Sequence, residues 1–368
     1  MKNQRKRIIL LAIAVILIAV VGIYFFIRYQ EYNYMEVLET YENGTTDNAK
    51  YTYCSAGVIQ YSRDGVALLT RSGKEVWNQP VQMSNPMVDV CGNSIAVGDK
   101  GGTSIFVFQK KGLRGEIHTT RPIQNLTVSS QGIVSAILKD EESPLVMCYD
   151  AKGNVLVEHK ASLKNMGYPI SVAISEDGNT LLVSYLNAKG NSLSTKVVYY
   201  YFGQNTAEEH RVLEEEFENT IVPVTAFLDK EISLIVADNA LVFYDGLQKP
   251  QQSARVEIKK EILSVAYNKE TIAVLLKKES GGCKLETYDT KGKRLASVDV
   301  ENQYTNMKVE EDKIVMYDGQ LCSIYIKNGI HKYEGKSDDK ILEIFPLSGL
   351  NKYMVINASS FQEIRLAK

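Results

Sequence analysis

The side chains best suited to hold a metal or move a proton near neutral pH are the four histidines, at positions 118, 159, 210 and 331. They lie far apart, and none has a second ligand at metal-type spacing, so a zinc site would need separate segments to converge and packing or surface roles are the simpler reading. Five cysteines, at 54, 91, 148, 283 and 322, occur singly, with no C-x-x-C. An odd number leaves at least one unpaired, and Cys91, Cys148 and Cys322 sit in apolar runs (VDVCG, LVMCYD, LCSIYI), so buried thiols are expected instead of a disulfide framework. There is no G-x-S-x-G elbow and no Walker sequence, and the glycine-rich pieces GDKGGT (98–103) and ESGGC (279–283) read as turns. The segment 207–219 (AEEHRVLEEEFEN) carries six Glu that could attract a basic partner or a divalent cation; a charge run of this kind more often faces water as an outer strand or short helix. KDEESP (139–144) reads as a loop, and neither acidic segment has the spacing of a calcium loop. The sequence therefore nominates no catalytic, cofactor or metal residue, and the expectation is a binding module, not an enzyme.

Whatever these residues do, their position relative to a membrane comes first. Twenty consecutive residues from Ile8 to Ile27, IILLAIAVILIAVVGIYFFI, contain no charge, and a helix of that length spans roughly 30 Å of hydrocarbon. A cleavable signal would have an apolar region of about 7 to 15 residues followed by a small-x-small site. Here the only Ala-x-Ala, Ala12 to Ala14, lies inside the run, so the segment reads as an uncleaved transmembrane anchor that contacts the lipid bilayer directly. Lys2, Arg5, Lys6 and Arg7 precede it and only Arg28 follows before Glu31 and Glu36, which by the positive-inside rule keeps residues 1–7 as a short cytoplasmic tail and places the rest outside the cell membrane. That remainder carries 37 basic against 44 acidic residues, a balance that argues against nucleic acid. No Cys lies just beyond the run to accept a lipid.

Beyond the anchor, residues 29–40 (YQEYNYMEVLET) are compatible with a continued helix, and 41–50 (YENGTTDNAK) with a short polar linker; together residues 28–50 form a juxtamembrane segment. From 51 to 368 the pattern is short apolar runs separated by turns. Twenty-two Tyr, one Trp and many branched residues favour strands. One unit recurs: an apolar run, a turn with Gly, then a second run, with turn glycines at 73, 112, 153, 203, 246, 292 and 329. Their separations, 39, 41, 50, 43, 46 and 37 residues, lie within or near the roughly 40 to 45 of four-stranded propeller blades. Between these hairpins lie two further runs, such as QNLTVSS and GIVSAILKD, or PISVAIS and NTLLVSYL. The 50-residue interval is accounted for by an extra polar loop at 187–195. The expected fold is an all-β propeller of four-stranded blades. Residues 86–336 give six full blades; the two ends give either two more, for the favoured total of eight, or one shared, for seven. The last runs, ILEIFPL, KYMVIN and FQEIRL, lack a fourth strand, so an N-terminal strand at 51–55, or just before it, is expected to close the ring.

The segment 55–77, SAGVIQYSRDGVALLTRSGKEVW, resembles the repeat of pyrroloquinoline-quinone-type propellers, in which a G-K-x-x-W ending docks its Trp on the next blade. ISEDGNTLLVS, at 174–184, resembles the S-x-D-G-x-x-L turn of WD40-like propellers. With the N-terminal anchor, the chain is similar to an uncharacterised family of membrane-anchored propellers from Gram-positive bacteria. The resemblance implies architecture over residues 51–366 and no quinone chemistry, since Trp77 is the only tryptophan.

Three functions fit these features. The leading one is an interaction scaffold whose loops bind a membrane or cell-envelope protein, because propellers present many loops on two faces. The second is an enzyme binding or cleaving an envelope glycan at the channel. The third is a ligand sensor, which would need a membrane partner because only seven residues precede the span.

Overall fold

The computed structural model describes residues 2–42, 48–190, 192–203, 210–349 and 351–368. It opens with one helix, α1 (Lys2–Tyr29), and every later element is a strand. The strands form eight antiparallel sheets of four, so the chain is an eight-bladed propeller. Blades 1 to 7 are contiguous, at residues 50–80, 86–118, 123–160, 168–218, 224–257, 262–300 and 306–336. The six full blades expected over 86–336 are blades 2 to 7.

Blade 8 joins the two ends of the chain. Its inner three strands are Glu343–Pro346, Lys352–Ile356 and Ser360–Ala367, and its outer strand is Tyr34–Glu42, paired antiparallel from Tyr34 opposite Ala367 to Glu42 opposite Ser360. Two expectations are corrected here. Residues 29–40 do not prolong the helix, which stops at Tyr29; and although an N-terminal strand closes the ring as expected, it is Tyr34–Glu42, ahead of residue 51, while Lys50–Cys54 is the innermost strand of blade 1. The propeller therefore begins at Tyr34, not at residue 51. Met, Glu and Leu in YMEVLETYE are good helix formers, but the open edge of Ser360–Ala367 supplies backbone partners along the whole segment, and tertiary pairing outweighs a weak local preference. Part of the expected polar linker, residues 43–47, lies outside the described residues.

Each seam between neighbouring blades holds its own apolar cluster, and the eight clusters together make up the core. At the seam of blades 8 and 1, Phe345 and Phe361 pack against Tyr51 and Val58. At the seam of blades 7 and 8, Ile324 and Tyr333 meet Ile344, Tyr353 and Ile364. Because both faces of each sheet are covered, the middle strands are apolar at successive positions, as in VSAIL and LVMCY of blade 3. Trp77 docks as the resemblance implied: its ring stacks on Phe108 of blade 2 at 4.9 Å and its Nε1 donates to the Lys110 carbonyl at 3.2 Å.

The seven turn glycines all sit at the outer hairpins between third and fourth strands, Gly112 as the first residue of its fourth strand. Gly73 needs to be glycine on two counts: its φ is +81°, and a Cβ would meet the Phe361 ring of blade 8 at 3.0 Å. The stretch 187–195 is not an extra loop. Thr180–Lys189 and Ser192–Tyr201 continue as one long ladder to Lys189 opposite Ser192. All five cysteines are free thiols, four of them buried and Cys91 partly so.

Candidate functional site: the junction of the helix with the propeller

A single irregularity is repeated in every blade. Near the outer hairpin in blades 1 to 7, and toward the matching end of blade 8, the ladder between third and fourth strands shifts register by one, which leaves one residue of the outer strand unpaired. Such bulges turn a side chain away from the ladder. In blades 1, 3 and 4 the unpaired residue is Val76, Leu156 or Val212, each exposed. In blade 7 it is Lys332, which is only 3% exposed.

Lys332 reaches the end of the N-terminal helix. Its ammonium donates to three carbonyl oxygens, those of Ile27 at 2.9 Å, Arg28 at 3.2 Å and Gln30 at 2.8 Å. A helix leaves its last carbonyls without intrahelical partners and its C-terminus partly negative, so one cation with three donors suits the place. The Tyr32 ring lies 4.9 Å from the same ammonium. Burial pulls the Lys332 amine down to about 8, with Arg28 and Lys313 adding repulsion and Asp312 opposing them.

Other contacts surround this tie. Arg28 pairs with Asp312 of blade 7 at 3.4 Å, and Glu31 meets His331 Nδ1 at 2.5 Å. The Tyr32 amide donates to the Lys332 carbonyl at 2.9 Å and the Asn33 amide to the Ala367 carbonyl at 2.8 Å. Asn351 of blade 8 donates to the Tyr32 hydroxyl. Between helix and disc lies a hollow of about 350 Å³, lined by Val20, Ile23 and Ile27 on one side and Lys313, Ile326 and Gly349 on the other. The helix is thus fastened to blades 7 and 8 by backbone and side chain alike. It is also long and apolar enough to cross a bilayer over Leu10–Tyr29, and apart from its last turns at the junction that stretch is exposed.

Chain direction fixes where the helix leaves the disc. In blades 1 to 7 the third strand runs into the outer hairpin. In blade 8 the third strand ends at Ala367, opposite Tyr34, so the closing strand starts at the hairpin end and the helix departs from the face that carries the hairpins.

The expected candidate residues are distributed as follows. The histidines belong to different parts of the ring: His118 lies 3.4 Å from Glu116 on blade 2, His331 binds Glu31, and only His159 and His210 share a hollow, with Tyr200 3.1 Å from His159 Nε2. Burial and Arg211 lower the His159 pKa. Among the described residues no three His, Cys, Asp or Glu gather as metal ligands. The described part of the acidic run, Arg211–Glu218, is the outer strand of blade 4, with Glu214 paired to Lys196 at 3.2 Å; residues 207–209 lie outside the described residues.

At the ring's centre, the innermost strands carry carboxylates that tie blade to blade. Asp89 of blade 2 accepts the Val128 amide at 2.7 Å and the Thr127 hydroxyl at 2.9 Å from blade 3. Burial pushes its carboxyl up while these bonds oppose the shift. Glu343 of blade 8, 1% exposed, accepts from Lys308 of blade 7 and from the Ile344 amide.

Sequence reasoning missed Lys332. It stands in the run IYIKNGIHKYEG as one lysine among many, and its place on a bulge is visible only in the strand register.

Several solved propellers have the same fold. BamB from Moraxella catarrhalis matches with a TM-score of 0.57 and 12% identity over 90% of this chain and 100% of that one. Sqt1 from Saccharomyces cerevisiae gives 0.58 and 11% over 91% and 100%, and AztD from Citrobacter koseri gives 0.54 and 12% over 79% and 87%. A search of curated proteins found no match. A family model does match, over residues 28–366, from the last helical turn through all eight blades; the chain belongs to the Family of unknown function (DUF5711).

Proposed function

We propose that this protein is a membrane-anchored interaction scaffold, with the propeller held outside the cytoplasm against the cell membrane and its free loops recruiting an envelope protein. The observation that carries this reading is the Lys332 tie: a helix able to cross a bilayer is locked to blades 7 and 8 over several residues, so the disc has a set pose relative to the membrane. A flexible tether would suffice merely to retain a domain; a rigid one suits a platform that must present particular loops to a neighbour. The basic flank of the helix favours a cytoplasmic N-terminus.

The face away from the helix is the one free for partners. It includes a hollow of about 660 Å³ lined by Lys259, Lys260, Glu261, Lys277, Lys278 and Glu279, a mixed-charge surface suited to a polar protein contact. Catalysis of glycan cleavage finds less support, because Asp89 and Glu343 on the inner strands are engaged with neighbouring strands.

The test is amine-reactive crosslinking in cells of the tagged full-length chain, followed by mass spectrometry, with an anchor-only control. Recovery of one defined complex through lysines of the free face supports the scaffold. Recovery of nothing beyond the control overturns it.

A further inference from the structure

On the hairpin face the eight blades are not alike. The outer hairpins of blades 1 to 3 carry Arg71, Lys74, Lys110, Lys111 and Lys152, all exposed; Arg71 donates to the Tyr53 hydroxyl, and among the described residues none of the five forms an ion pair. They outnumber the carboxylates of the same hairpins, Glu75 and Asp150. Asp150 is turned inward, accepting the Lys152 and Asn154 amides at 2.8 and 2.9 Å.

The loops between first and second strands open on the same face, because each blade is an antiparallel meander. In blades 1 to 3 these loops hold no acid: Ser55 and Ala56, then Gly92 and Asn93, then residues 129–133. In blades 4 to 7 the equivalent loops hold Glu176 and Asp177, Asp229 and Glu231 around Lys230, Glu270 beside Lys269, and Glu311 and Asp312, so acids equal or outnumber bases in each. Lys249, Lys291, Lys293 and Lys327 stand on the hairpins of blades 5 to 7 too, but there the acids of the inner loops offset them, so the net positive charge is concentrated on the arc of blades 1 to 3. That arc begins beside blade 8, where the helix leaves.

The same arc is apolar at its rim. Val76 is 49% exposed, Leu113 44%, Val155 53% and Leu156 51%, each within three residues of its hairpin glycine. Blades 5 to 7 have no large aliphatic side chain this exposed on their outer strands among the described residues. Cations beside protruding aliphatic groups, next to a membrane-spanning helix, match the chemistry of an interface between anionic headgroups and acyl chains.

We propose that the hairpin edge of blades 1 to 3 rests on an anionic phospholipid surface, so that the disc touches the bilayer along this arc as well as through its helix. The inference rests on the anchored reading above. It leaves the opposite face, and the outer edges of blades 4 to 6, open to partners.

Trp77 is the only tryptophan and sits within the arc, bonded to the Lys110 carbonyl, so its emission reports directly on this edge. The experiment reconstitutes the full chain in vesicles of phosphatidylcholine, with or without phosphatidylglycerol, containing a lipid with a nitroxide on its headgroup. Flotation of the chain with the vesicles reports insertion of the helix independently of Trp77. The expected result is strong quenching of Trp77 in anionic vesicles, reduced by high salt and falling to the neutral-vesicle level in Lys110→Glu/Lys111→Glu/Lys152→Glu. Lys259→Glu/Lys260→Glu, on the opposite face, should quench like the unmodified chain. Equal quenching with and without phosphatidylglycerol overturns the proposal, as does quenching that the hairpin reversal leaves unchanged. A chain that fails to float overturns the anchored reading, and the arc proposal with it.

Discussion

Replacing Lys332 by Met keeps an unbranched side chain of similar length and removes only the ammonium. Three charge-assisted bonds to the carbonyls of Ile27, Arg28 and Gln30 are lost, each worth roughly 1.5–3 kcal/mol. Against this stands the cost of burying the charge. A pKa drawn down from 10.5 to about 8 corresponds to about 3 kcal/mol. The carbonyls remain after the substitution and are only partly rehydrated, so the net loss should be about 2–4 kcal/mol, concentrated at the junction. At about 1.4 kcal/mol per tenfold change, opening of the junction rises by at least about thirtyfold. Hydrogen exchange measured on the membrane-reconstituted chain reads this at the Tyr32 and Asn33 amides, which bond to the Lys332 and Ala367 carbonyls. Lys327→Met is the control, because it removes only an exposed pair with Glu270 at 3.2 Å, worth less than about 1 kcal/mol. Exchange in Lys332→Met no faster than in Lys327→Met would falsify the view that this side chain fastens the helix.

Two further outcomes follow from other parts of the ring. Truncation to residues 43–368 removes the closing strand and uncovers Phe361, Ile364 and Leu366, now at most 2% exposed, so that chain should aggregate on a sizing column while 30–368 stays monomeric; equal monomer yields would contradict the closure. His159 has a folded pKa below its unfolded 6.5, so the unfolded chain binds the proton first and stability is lost as pH falls below about 6.5. Melting temperature should therefore drop more steeply on acidification in the natural chain than in His159→Gln, and parallel slopes would refute the assignment.

Much of this architecture is written in local pattern. A turn glycine at positive φ, as at Gly73, Gly112, Gly153, Gly246, Gly292 and Gly329, recurs at blade spacing and marks the outer hairpins whatever the rest of the chain does. An uncharged run of twenty residues needs no partner to declare itself a helix able to span hydrocarbon. Trp77 was legible through the resemblance of its G-K-x-x-W ending to pyrroloquinoline-quinone-type repeats, which implied that the ring docks on the next blade, where it stacks on Phe108. Residues 34–42 were not legible, because their helical composition is overruled by a strand edge more than three hundred positions away. Lys332 was hidden for a related reason: a bulge is a property of two strands in register, and one strand's sequence does not carry it. The cationic arc divides the same way. Its lysines are plain in the hairpin sequences, but that they share a face with the departing helix and with acid-free inner loops is decided only by the closure of the ring, since strand direction fixes which loops meet in space.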